Sequence, residues 1–112
     1  MKAKYTVKKN SDFRRIYARG RSAVTPHLVL YCRRNRLGNN RIGITVSAKL
    51  GNAVVRNRIK RRLREIFRLN SSLLKSGNDI IIVARGRCTD ALYREMEKSF
   101  MDACRKLELL AE

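Results

Sequence analysis

The residues best suited to chemistry are cations crowded into one stretch of chain. Arg56, Arg58, Lys60, Arg61, Arg62, Arg64 and Arg68 are interleaved with Val55, Ile59, Leu63, Ile66 and Phe67, and Glu65 is the only acid among them. Guanidinium groups form bidentate forks with phosphate oxygens, a geometry that lysine ammonium cannot reproduce. A merely solvated charged helix would carry acids at i,i+4 positions to offset its repulsion. Here those acids are nearly absent, so the run points to a polyanionic partner.

Other chemistries find little support. Asp12 and Glu65, the acids of the basic region, belong to different predicted helices, whereas a two-metal nuclease needs several convergent carboxylates. Asp90, Glu95, Glu97 and Asp102 lie together near the end of the chain on what reads as a solvated helix face. His27 has no orienting partner nearby in sequence. Ser47 lacks a nucleophile context, and Gly43 and Gly51 do not make a phosphate-binding loop. Cys32, Cys88 and Cys104 are odd in number and widely spaced, which fits reduced thiols rather than a disulfide framework or a zinc site. The expected inventory is therefore no catalytic residue and no metal ligand.

The elements that must position the cations follow from periodicity. Asn52 can cap a helix over 53–69, because Val55, Ile59, Leu63, Ile66 and Phe67 share about a third of its circumference. Before it, Phe13, Ile16 and Tyr17 mark a short helix with Asn10 or Ser11 as cap and Gly20 as stop. Arg21–Thr25 and His27–Arg34 read as strands, and Ile42, Ile44 and Val46 alternate in a third. The Gly38-Asn39-Asn40 turn predicts that the second and third strands pair as a hairpin. Ile80, Ile81, Ile82 and Val83 form a run suited to a central strand buried on both faces. Leu92, Met96, Phe100, Ala103 and Leu107 mark a closing helix. The order is αβββαβα, an α+β sandwich forming one domain over residues 1–112.

Charge sharpens the partner. The 112 residues carry 27 Lys plus Arg against 9 Asp plus Glu, a formal +18. Residues 1–78 hold 21 basic and 2 acidic residues (net +19), and residues 79–112 hold 6 and 7 (net −1), so the excess is concentrated. It begins in a basic arm from Lys2 to Lys9. With no long apolar run, signal-peptide core or lipidation motif, the expected setting is cytoplasmic, with nucleic acid and not a membrane as partner. A second constellation sits nearby: Phe13 and Tyr17 at i,i+4, with Tyr31 and Val29 sharing a strand face. Such aromatics more often pack a core. Beside Arg14, Arg15 and Arg19 they would also suit the stacking of single-stranded RNA bases.

The segment Gly51-Asn52-Ala53-Val54-Val55-Arg56-Asn57-Arg58-Ile59-Lys60-Arg61-Arg62-Leu63-Arg64-Glu65 closely resembles the RNR signature helix of the protein subunit of bacterial ribonuclease P. Similar too are Lys8-Lys9-Asn10-Ser11-Asp12-Phe13, Val29-Leu30-Tyr31, Arg41-Ile42-Gly43-Ile44-Thr45-Val46-Ser47 and Asp79-Ile80-Ile81-Ile82-Val83-Ala84-Arg85, so the resemblance spans nearly the whole chain. It implies the same αβββαβα order with a left-handed βαβ crossover, the fold type of a small-subunit ribosomal protein's second domain. In that family an RNA subunit, with RNA-bound Mg²⁺, removes the 5′ leader of precursor tRNA while the protein assists binding. The resemblance implies one protein per catalytic RNA, with Arg56, Asn57, Arg58, Lys60, Arg61 and Arg64 facing it. It also implies a leader cleft between the first helix and the sheet, at Phe13, Tyr17, Val29 and Tyr31. The competing reading is a ribosomal-type or chaperone RNA-binding protein with no enzymatic role.

Overall fold

The computed structural model describes residues 6–111 of the chain, so Lys2 and Lys4 of the basic arm lie outside the described residues. The elements are α1 (Asn10–Arg19), β1 (Arg21–Val24), β2 (Leu28–Arg34), β3 (Arg41–Thr45), α2 (Ala53–Asn70), β4 (Asn78–Ala84) and α3 (Tyr93–Lys106). This is the αβββαβα order of the sequence reading. The pairing differs from it. The strands form one sheet in the order β1-β2-β4-β3, so β2 and β3 are not hairpin partners despite the turn at Gly38 (φ +78°). The physical reason is β4, in which Ile80, Ile81 and Ile82 are each fully buried. An apolar strand covered on both faces is most stable with both edges paired as well. It therefore inserts between the two, antiparallel to β2 and parallel to β3, with α2 as the β3-to-β4 crossover. The hairpin that does form is β1–β2, closed by Thr25, whose hydroxyl donates to the Leu28 carbonyl at 2.7 Å.

Alternation along β2 divides the core. Leu28, Leu30 and Cys32 join Ile80, Ile82, Ile59, Leu63, Met96 and Phe100 beneath α2 and α3. On the other face, Ile81 meets Val7 and Ile16, with Phe13, Tyr31 and Val83 packed partly buried beside them. One face thus carries two helices and the other only α1. Burying each large aliphatic side chain contributes about 1.5–3 kcal/mol, so α2 and α3 hold most of the stability.

Two local details, the α1 cap and Leu92, correct the sequence reading, and Gly20 bears it out. The cap of α1 is Lys9, in extended conformation and without a side-chain cap; its carbonyl accepts from the Asp12 and Phe13 amides. Gly20 does stop α1, but with an ordinary negative φ; its role is close approach, since a Cβ there would sit 2.5 Å from both the Cys32 and Ile16 carbonyl oxygens. Leu92 is an exposed cap of α3 and not part of its apolar stripe, its amide donating to Glu95 Oε1 at 2.8 Å.

One polar cluster fastens α1 to the sheet. Arg41 of β3 forks onto Asp79 of β4 through Nε at 2.8 Å and Nη2 at 2.7 Å, and its Nη1 lies 3.6 Å from Asp12 in the first turn of α1. Asn35 donates a further bond to Asp79 at 2.9 Å. Burial pushes the Asp79 carboxyl up, but hydrogen bonds from Arg41 and Asn35 and the charges of Arg41 and Arg33 outweigh it and hold the group below the usual carboxylate range. A carboxyl depressed in the folded state stabilises the fold above its unfolded pKa. That contribution is lost as pH falls below about 3.8. Asp79→Asn should therefore cost about 3 kcal/mol at neutral pH. In urea melts its deficit relative to the native chain should stay level down to about pH 4 and shrink as the pH falls on towards about 2; a constant deficit would show that the carboxylate charge is not what stabilises.

Candidate nucleic-acid interface

Helix α2 is set by its cap and its stripe. Asn52 Oδ1 accepts the Val55 amide at 3.0 Å. Gly51 sits at φ +148°, where a Cβ would come within 2.9 Å of the Val55 side chain. Ile59, Leu63, Ile66 and Phe67 face inward. Asn57, Arg58, Arg61 and Arg64 are exposed, while Arg56 and Lys60 are half-buried along the flanks. Glu65 is taken by Arg68 at 2.7 Å. Among the described residues, none of the side chains of Arg56, Asn57, Arg58, Lys60, Arg61 or Arg64 makes an ion pair or hydrogen bond. They form a cationic surface held on a rigid helix with its donors uncommitted.

On the opposite face of the sheet the aromatics gather. The Phe13 and Tyr17 rings lie 6.3 Å apart, and Tyr17 meets Tyr31 edge-on at 4.8 Å. The Tyr17 hydroxyl lies 3.3 Å from Thr45 Oγ1, within hydrogen-bond reach. The core residue of α1 is Ile16, at 1% exposure, whereas Tyr17 is 39% exposed and Phe13, Val29 and Tyr31 are half-buried. The i,i+4 aromatic pair thus borders the core without being it.

A cleft of about 370 Å³ at the β3 edge joins the two constellations, with Val7, Phe13, Gly43 and Ile44 meeting Lys60 and Arg64. Arg56, Asn57, Arg58 and Arg61 do not line it, nor do Tyr17, Val29 and Tyr31. Sequence reasoning did not find Gly43 or the arm residues Thr6 and Val7, which lie along β3, the Val7 amide donating to Ile42 O at 2.9 Å. A glycine inside the alternation Ile42-Gly43-Ile44 was the available signal, since a strand glycine often marks close approach. Here the approaching group is the Phe13 ring, whose Cζ would lie 2.9 Å from a Cβ at 43.

The other reactive groups are occupied. His27 Nδ1 lies 2.7 Å from Ser99 Oγ, and the His27 carbonyl accepts from the Cys88 thiol. Ser47 Oγ accepts the Lys49 amide. Asp12 faces Arg15 and Arg41, and Asp102 pairs with Lys98 and Arg105. Among the described residues no three His, Cys, Asp or Glu side chains come together as a metal site. All three cysteines are buried, which pushes their thiols up, Cys104 to about 12 with Cys32 beside it. Thiols so protonated are poor nucleophiles.

A family model described as Ribonuclease P matches residues 1–108. The chain belongs to the ribonuclease P protein family. The ribonuclease P protein component of Alkaliphilus metalliredigens is 42% identical over 111 residues, covering 99% of this chain and all of that one. The counterpart in Clostridium acetobutylicum is 44% identical over 106 residues, covering 93% of this chain and 89% of its own. Among solved structures, the Staphylococcus aureus RNase P protein superposes with a TM-score of 0.88 at 38% identity, covering 96% of this chain and 98% of that one. The Thermotoga maritima RNase P protein gives 0.80 at 29% identity, covering 87% and 92%. A ribonuclease P protein is a tRNA-processing subunit of a holoenzyme whose catalysis is carried by RNA, and its partner is that RNA. This replaces the ribosomal-type or chaperone alternative.

Gly43 offers a test of the cleft in this ribonuclease P protein. Gly43→Val should displace the Phe13 ring and cost about 1–3 kcal/mol by overpacking. Nuclear Overhauser contacts between the Phe13 ring and β3 should weaken while amide dispersion stays native; unchanged contacts would mean that the ring does not depend on the glycine.

Proposed function

We propose that this chain is a cytoplasmic subunit, one per catalytic RNA, that docks through α2 and holds the 5′ leader of precursor tRNA on its aromatic face. Arg56, Asn57, Arg58, Lys60, Arg61 and Arg64 take the catalytic RNA, and Phe13, Tyr17, Val29 and Tyr31 take the leader. The observation that carries the reading is the β3-edge cleft, which Phe13 and the cations Lys60 and Arg64 line together. A strand leaving an RNA seated on α2 has a short route past the β3 edge to the rings.

The chain's own contribution is electrostatic and geometric. Its exposed guanidinium groups neutralise phosphates and release condensed counterions, which favours assembly and makes it salt-dependent. The half-exposed rings offer π faces to unstacked bases whatever their sequence, as a leader common to many precursors requires. Mature tRNA has no leader, so the aromatic face favours precursor over product. Mg²⁺, held mainly by RNA, would supply the activated water and charge stabilisation of phosphodiester hydrolysis. Among the described residues no three His, Cys, Asp or Glu side chains come together to hold it.

Two experiments test the reading. Holoenzyme reconstituted with Phe13→Ala or Tyr17→Ala should lose about 1–3 kcal/mol of affinity for each stacked base, on precursor tRNA only. Equal loss for precursor and mature tRNA, with a large fall in melting temperature, would assign these rings to the core. Separately, Arg58→Glu with Arg61→Glu should abolish assembly on the catalytic RNA while circular dichroism stays native, because both side chains lie off the buried stripe. Native-like assembly would remove the docking assignment.

A further inference from the structure

The end of the sheet away from the aromatic face carries a second concentration of cations that the α2 surface and the leader cleft do not use. Arg21 pairs in register with Cys32, and Arg34 lies two residues beyond Cys32 opposite Asn78. Strand alternation therefore puts both arginines on the α2/α3 side, opposite Val29 and Tyr31. With Lys75 they line a depression of about 280 Å³ whose one carboxylate is Glu108, leaving a net charge of +2. It adjoins a second depression of about 360 Å³ that reaches Arg68 near the end of α2, and Ser76 lines both.

The surface is built on fixed backbone. The Lys75 amide donates to Leu109 O at 2.7 Å, the Asn35 amide to Gly77 O at 2.8 Å, and the Ala111 amide to Leu73 O at 2.8 Å. Arg21 is held by a bond to Leu107 O at 2.9 Å. Among the described residues the side chains of Arg34 and Lys75 have no ion pair or hydrogen bond. Two uncommitted cations flanked by hydroxyl and amide donors, with no exposed aromatic ring in the lining, suit phosphate and 2′-hydroxyl groups and not bases.

We propose that this trough is a second backbone-binding surface for the catalytic RNA, continuing the contact with α2 past Arg68 along the end of the sheet. The inference rests on the reading that α2 docks on that RNA. It adds a contact that is independent of sequence and lies on the opposite side of the sheet from the leader.

The test is the Arg34→Ala/Lys75→Ala double variant, with Arg21 left in place because it supports the Leu107 carbonyl. Its control is Arg87→Ala/Arg94→Ala, which removes the same charge from exposed positions elsewhere. Affinity for the catalytic RNA is measured across a monovalent salt series. The trough variant should melt like the native protein and show a log–log salt slope shallower by about 1.4–1.8, for two lost phosphate contacts. The control should keep the native slope. An unchanged slope in the trough variant, or an equal change in both variants, overturns the proposal. So does normal assembly with weaker binding of precursor and mature tRNA alike, which would move the partner to tRNA. Inorganic phosphate titrated into the free protein should shift the amides of Lys75 and Ser76, and not in the double variant. Such shifts with a native RNA slope would make the trough a free-anion site and overturn its RNA role. An unchanged trough slope alongside lost assembly in Arg58→Glu/Arg61→Glu would refute the trough alone, leaving the α2 docking reading standing.

Discussion

Strand β4 must be hydrogen-bonded on both edges and covered on both faces, and the placement of every other element answers to that demand. Its residues Ile80, Ile81 and Ile82 alternate sides while all remaining fully buried. One side needs a cover broad enough for Ile80 and Ile82, which α2 and α3 provide together. The other needs cover for Ile81, and α1 with the Val7 segment suffices. This asymmetry separates the two candidate surfaces. A helix packed by one stripe leaves a wide cationic back, and a single short helix leaves a shallow, partly open aromatic face.

Apart from the cluster around Asp79, electrostatics is layered on this frame and not woven into it. The acids that stabilise structure act locally: Asp79 with Arg41, Asp102 with Lys98 and Arg105, Glu95 at the start of α3. Exposed pairs of this kind contribute little stability each, whereas the buried fork at Asp79 joins three elements. The cations of α2 are left largely without such partners. That arrangement makes the free protein electrostatically unfavourable and a polyanion complex favourable by comparison.

The sequence made the elements legible because helices and strands are written in local periodicity. The Asn52 cap, the α2 stripe and the doubly buried β4 were all readable within short windows. The partner of β2 was not, because the local turn around Gly38 promised a hairpin, while the true pairing depends on burial of a strand more than forty positions downstream. The same holds for the site. Outward cations on α2 could be placed by helical geometry alone. The cleft linking Lys60 and Arg64 to Phe13 could not, since it arises where α2, α1 and the Thr6–Val7 segment meet at a glycine in β3.

An open sheet has two edges, and each is a template for a neighbouring chain unless something blunts it. In this protein the β1 edge is capped by Lys106, whose ammonium donates to Val24 O at 3.2 Å. The β3 edge is met by Thr6 in a parallel bridge at Ile42. The remainder of that edge is flanked by Lys60 and Arg64, so two copies approaching edge to edge would bring like charges together. The same cations thereby act as gatekeepers against edge-to-edge pairing. The segment before α1 has a matching significance: Thr6 pairs with Ile42 while Val7 packs with Ile81, so a protein shortened past Val7 would lose part of the cover of β4 together with the guard on the β3 edge.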